Sequence, residues 1–213
     1  MRLGAFIAAI ALAGVLATTA SASARPVTAA DRALLARPAT YEEKIAEGVA
    51  ERLTGHKSVS VRCTPMNLYF ANVLGATPMV NGHSFDYFLM QPDECKYLAW
   101  FRDSPARWDP HTCSPSDCRY AVDIAWAMET VAHESYHVLG YRNEAQVDCY
   151  GMQSVWFVAS RLGASTPEAE AFAHIFADRL YPLRKTETPL YWSPECRDGG
   201  RYDLRPSSHA WPS

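Results

Sequence analysis

"HESYHVLGYRNEAQVD", residues 133–148, sets two histidines four positions apart, His133 and His137, with Glu134 beside the first. Gly140 follows three residues after the second histidine. Asn143 and Glu144 come next, and Asp148 lies four beyond that glutamate. Residues at i and i+4 of a helix sit one above the other, so both imidazoles can reach one ion. At about 100° per residue, Ile124, Met128, Val131, Ser135 and Val138 share one face of that helix, and the two histidines fall roughly opposite. They therefore project away from the main apolar stripe. The plain alternative is a helix carrying two solvated or hydrogen-bonded histidines, because a bare HExxH also arises by chance.

The residues that follow favour the metal. Gly140 ends the histidine helix and lets the chain turn. Asn143 is placed to cap a second helix, with Gln146 at its N3 position. Glu144 falls in the first turn, where a carboxylate is suited to complete a tetrahedral zinc site with two histidines. Glu134 is one step round from His133, placed to reach a metal-bound water without ligating the ion. Asp148 shares a face with Glu144. It is an acceptor for an imidazole N–H, the usual partner of a ligating histidine, and it also remains open as an alternative ligand. Gly151 lies on this face too, where it would let the histidine helix approach closely.

Taken together, "HESYH" and "NEAQVD" resemble the gluzincin metallopeptidases, whose pattern is HExxH followed by NExxxD. The resemblance implies that His133, His137 and Glu144 are zinc ligands, that Glu134 is the general base and that Asp148 supports a ligand. The short connection between His137 and Glu144 resembles the minimal gluzincins. "QVDCYG" and "SPECRDGG" are similar to segments of secreted bacterial proteins that carry the same motif. The metzincin pattern fails, since Asn143 stands where its third histidine would be. Larger gluzincins steady the oxyanion with a tyrosine and a histidine. Tyr136, Tyr150 and His174 are available by type, but packing is the default role for each, and His174 reads as a core histidine. The implied activity is peptide-bond hydrolysis of a peptide or protein substrate, with Zn2+ as cofactor. Two other readings stay open: a zinc-binding protein of this fold without peptidase activity, and a disulfide-stapled secreted binding domain without metal.

The rest of the chain gives the setting. Its 213 residues open with Arg2, the apolar run "LGAFIAAIALAGVLA" and Ala22-Ser23-Ala24. That is the pattern of a cleaved signal peptide over 1–24, with a mature chain from Arg25. No later run approaches the ~18 apolar residues needed to span a bilayer, so no membrane association is expected after cleavage. The six cysteines, an even count in an exported chain, imply disulfides. The closest pair, Cys113 and Cys118, is the first candidate. Net charge is −3 with no basic stripe, which argues against nucleic acid.

Residues 25–213 read as one domain of class α+β: a small, mainly helical, zincin-like and disulfide-stabilised unit with a small sheet. Helices are expected over "TYEEKIAEGVAERLTG", capped by Thr40 with Glu43; over about 119–139; from Asn143 to about Leu162; and from about Pro167 to Leu180 with Thr166 as cap. "KSVSVRC" reads as a strand. The stretch 64–118 reads as irregular apart from the strand "SFDYFLM", whose Phe85, Tyr87 and Leu89 would share a face and where an extended peptide could pair. The Pro- and Gly-rich tail reads as an irregular arm tied down through Cys196.

Overall fold

A computed structural model describes residues 27–55, 58–66, 73–208 and 210–212. The expected leader 1–24 lies outside them. The mainly helical α+β class and the disulfides are as expected.

The elements run α1 (Ala29–Ala36), α2 (Tyr41–Leu53), β1 (Ser60–Cys63), β2 (Gly75–Ala76), β3 (Met79–Val80), β4 (His83–Ser84), β5 (Tyr87–Met90), α3 (Pro92–Asp103), α4 (Pro115–Val138), α5 (Glu144–Arg161), α6 (Thr166–His174) and α7 (Tyr181–Glu187). Thr40 caps α2 with Glu43 as the reciprocal partner, as its sequence dictates. The π-helical stretch Ile175–Leu180 joins α6 to α7, so the helical path runs past Leu180. Its cap is Ser165, not Thr166, because Glu168 rather than a later residue reaches back to the cap N–H.

The region 64–118 is not all irregular. It holds α3, whose start signal is Pro92 followed by Asp93 and Glu94 in the first turn. These residues read as punctuation when the chain is scanned for turns, yet they are also what a helix N-terminus prefers. α4 likewise starts at Pro115, four residues earlier than 119. Ser114 caps it by accepting from the Asp117 N–H.

Helix α4 is the axis of the domain. Residues Ala127–Ser135 are all buried, His133 and Glu134 included. It packs on α5, α3 and α2 and against β5 and β2. Helix α5 runs beside it, with Gly151 at the closest approach. A Cβ there would stand 2.6 Å from Glu129 Oε1 and 3.3 Å from the His133 backbone nitrogen.

The main sheet has the order β1-β5-β2, with β1 parallel and β2 antiparallel to β5. β5 alternates as its sequence says. Phe88 and Met90 join the main core, while Tyr87 and Leu89 pack with Phe85, Met66 and Ala76 on the other face. β5 cannot take an added peptide strand, because both its edges are occupied. The outer edges belong to β1 and β2, and among the described residues neither has a second strand partner.

Three disulfides staple this frame. Cys63–Cys95 joins β1 to α3, Cys113–Cys118 ties the segment before α4 to the first turn of that helix, and Cys149–Cys196 ties the C-terminal arm to α5. Gln153 of α5 holds the same arm by donating to the Tyr202 carbonyl at 2.7 Å and accepting from the Leu204 N–H at 2.8 Å.

Candidate metal centre

Helix α4 delivers His133 and His137 side by side. Gly140, at φ +97°, turns the chain back. Asn143 starts α5 by accepting from the Gln146 N–H at 2.9 Å. Glu144, the first residue of α5, thereby lands against both imidazoles. Its Oε2 lies 3.2 Å from His133 Nε2 and 3.2 Å from His137 Nε2, and the two Nε2 atoms are 3.0 Å apart. All three residues are less than 8% exposed.

The protons on these rings follow from what surrounds them. His137 Nδ1 donates to the Tyr141 carbonyl at 2.8 Å, which leaves its Nε2 as a bare lone pair. His133 Nδ1 faces only acceptors, Glu129 Oε1 at 3.5 Å and Asp148 Oδ1 at 3.7 Å. It too keeps its hydrogen there and turns a bare Nε2 inward. Two lone pairs and a carboxylate oxygen therefore converge, buried, with no donor among them. Such a set requires a positive charge at its centre, either protons on the imidazoles or a cation.

The titration tendencies say the same. Burial works against a charged His133, but the Glu129 and Glu144 carboxylates hold its pKa well above the ordinary value. Burial likewise works against an ionised Glu144, yet the two imidazoles bring it down to about 2. The 3.0–3.2 Å edges of the triangle are close to the ~3.3 Å between ligand atoms of a tetrahedral zinc site, and the donor set of two imidazoles and a carboxylate suits that ion. His133, His137 and Glu144 therefore fit a metal (the second grouping with metal-ligand spacing, Glu129, His133 and Asp148, shares His133).

Glu134 stands beside the set rather than in it. Its Oε2 accepts from Thr77 Oγ1 at 2.7 Å. Gly75 of β2 covers its other oxygen, and a Cβ there would come within 2.6 Å of Oε1. Burial raises the Glu134 pKa, against the pull of the imidazoles and Thr77. It is thus a carboxylate inclined to hold a proton.

Asp148 lies next to His133 Nδ1, but at 3.7 Å it is beyond hydrogen-bond reach and shares that position with Glu129. Its short contact is with Arg184, whose NH2 donates to Oδ1 at 2.8 Å. Burial and the neighbouring Glu129 push the Asp148 pKa well up, against Arg184 and His133. The Arg184 guanidinium is stacked between Trp126 at 4.5 Å and Tyr191 at 4.9 Å.

A cavity of about 270 Å³ opens beside the histidines, bounded by Val73–Gly75 on one side and Arg184, Thr188 and Tyr191 on the other. A smaller space of about 20 Å³, room for a single water, lies among His133, His137, Glu134, Glu144 and Tyr191. Burial keeps the Tyr191 hydroxyl protonated, and Glu144 and Glu134 nearby add to this.

The structure therefore brings His133, His137, Glu144, Glu134 and Asp148 together. The three residues available by type for the oxyanion are elsewhere engaged. Tyr136 and Tyr150 pack on each other at 5.2 Å, and Tyr136 bonds Ser154. His174 is not a core histidine but is about half exposed and paired with Asp178 at 3.0 Å. Glu129, Thr77, Gly75, Arg184 and Tyr191 were not singled out from sequence. Glu129, four residues before His133 on the same helical face, carried a usable signal. The others come from distant segments and carried none.

Comparison of the chain with known protein families, with curated proteins and with solved structures gives no significant match.

Proposed function

We propose that the chain is a secreted, zinc-dependent metallopeptidase, with His133, His137 and Glu144 holding the ion and Glu134 acting as general base. The observation that carries this is the convergence of two imidazole nitrogens and a carboxylate oxygen within 3.0–3.2 Å of one another, buried, next to a carboxylate that takes no part in the triangle. Zinc held there supplies a water of lowered pKa and a Lewis acid for the scissile carbonyl.

The remaining steps belong to the chain's own residues. Glu134, its pKa raised by burial, takes the proton of the attacking water and returns it to the leaving amine. Thr77 and Gly75 hold its carboxylate in one orientation. Tyr191, kept protonated at the rim of the same space, donates to the developing oxyanion. Gly75 of β2 lies against the Glu134 side chain, and the free edge of this strand offers its backbone groups to an extended substrate, a common mode of peptide binding. The three disulfides suit an oxidising compartment, and the leader pattern gives the route, with cleavage after Ala24.

The enclosure of the ligands supports a second reading, a zinc site that ties α4 to α5 without hydrolysis. Metal analysis and a casein digest of the mature protein decide between them. The peptidase reading expects one zinc per chain and hydrolysis that disappears in Glu134→Gln while the zinc stays. Zinc without hydrolysis in the wild type supports the second reading, and absence of bound metal sinks both.

A further inference from the structure

On the edge of the His133 ring away from Glu144, two buried carboxylates meet one N–H. Glu129 Oε1 lies 3.5 Å from Nδ1, and Asp148 Oδ1 lies 3.7 Å from it. Glu129 is 2% exposed and Asp148 is fully buried. The two distances are too alike to choose the acceptor. The hydrogen-bond donors available to each carboxylate do choose it.

Among the described residues, His133 and Arg184 bring donors to this pair. Arg184 NH2 donates to Asp148 Oδ1 at 2.8 Å. It stays 3.9 Å from Glu129 Oε2, an ion pair without a hydrogen bond. Asp148 thus has a donor, while Glu129 Oε1 is buried and still lacks one. If the Nδ1–H also went to Asp148, Glu129 would be a buried carboxylate with no hydrogen bond at all, a costly state for a charged group. Given to Glu129, the same proton leaves each carboxylate with one bond. The 3.5 Å separation is at the outer limit of such a bond, and the free rotations of a glutamate arm are enough to close it. Space for the arm is kept by Gly151, where a Cβ would stand 2.6 Å from Oε1.

Position along the chain points the same way. Glu129 and His133 are four apart on α4, one above the other. His137 gives its own Nδ1–H to the Tyr141 carbonyl at 2.8 Å. Both rings then have their outer protons placed within residues 129–141, before α5 contributes anything. Helix α5 adds Glu144, and its Asp148 holds Arg184, which stacks on Tyr191 at 4.9 Å.

We propose that Glu129 is a positioning residue of the metal centre: it accepts the Nδ1–H of His133 and so fixes the ring that presents Nε2. An acceptor of this kind orients a ligating imidazole and raises its basicity. The role rests on the metal reading above, but the hydrogen bond does not, and it should be present with and without zinc.

Proton NMR of the full mature protein, with isotope-labelled histidine nitrogens, tests this in the zinc-loaded and metal-free states. The His133 Nδ1–H should give a downfield, slowly exchanging signal. It should persist in Asp148→Asn and be lost to solvent exchange in Glu129→Ala. In Glu129→Gln the amide carbonyl can accept the same bond, so the signal should return, displaced upfield because the acceptor is no longer charged. A role in packing alone would not move it in that variant. Zinc titration against a competing chelator should show binding weakened about 10–100-fold in Glu129→Ala and less in Glu129→Gln. Should Glu129→Ala fail to fold, the Glu129→Gln and Asp148→Asn spectra still decide. Absence of the signal from the wild type, its loss in Asp148→Asn, its survival in Glu129→Ala or an unmoved signal in Glu129→Gln overturns the proposal. A wild type that binds no zinc but keeps the signal sinks the metal reading and leaves the bond from His133 to Glu129 standing.

Discussion

Two carboxylates one turn apart on α5 end with different partners. Glu144 bonds both imidazoles, and Asp148 bonds Arg184. Glu144→Ala is accordingly expected to abolish tight zinc binding, whereas Asp148→Asn should weaken it by about 10–100-fold, the usual cost of losing a group that supports a ligand. Zinc titration against a competing chelator measures both, and tight binding by Glu144→Ala with none by Asp148→Asn would make the site aspartate-ligated. Gly151→Ala is expected to destabilise the fold by about 1–3 kcal/mol, read as a shift in the urea midpoint, because its methyl would meet Glu129 Oε1. The candidate ligands were legible in the sequence for a local reason. A helix, a glycine turn and a capped restart are all encoded within sixteen residues. Thr77 and Tyr191 were not, since nothing near them in sequence says that they will face Glu134.

Among the elements, α3 departs furthest from expectation, and Glu94 in its first turn has a measurable consequence. Burial, with Asp123, Glu129 and Asp93 nearby, raises the Glu94 pKa to about 8, and its Oε2 has no hydrogen-bond partner. The unfolded chain releases this proton near pH 4.3 and the folded chain only near 8. Between those values the unfolded state is favoured progressively as pH rises. Glu94→Gln should therefore give no gain at pH 4 and a gain that grows up to about pH 8 and then levels off. Urea unfolding at pH 4.5, 6 and 8.5 checks this, and a pH-independent difference would refute it. The apolar stripe of α4 was legible in the same way as its histidines. The burial of every residue from Ala127 to Ser135 was not, because periodicity reports one buried face and a stretch enclosed on all sides has no exposed face to contrast with it. The helix start at Pro92 went unread since proline and acidic residues mark loops and helix N-termini alike.

At the scale of the molecule, the proposed metal centre would be a cross-link, as the disulfides are. A zinc ion held by α4 and α5 would stabilise the native state by mass action. Treatment with a chelator should lower Tm by several degrees in the wild type and leave His137→Ala unmoved, as calorimetry would show. Cys149 lies on α5, five residues after Glu144, and Cys196 follows Tyr191 on the arm, so the disulfide that joins them fastens the segment of Tyr191, the proposed oxyanion donor, to the helix that carries Glu144. A newly made chain in a reducing cytosol lacks this fastening. On the peptidase reading, activity would wait for this bond to form in an oxidising compartment, and electron balance rather than a removable pro-segment would act as the safety catch. Cys149→Ser/Cys196→Ser should retain zinc but hydrolyse casein at least tenfold more slowly, and full activity in that variant would show that the arm stays in place without its bond.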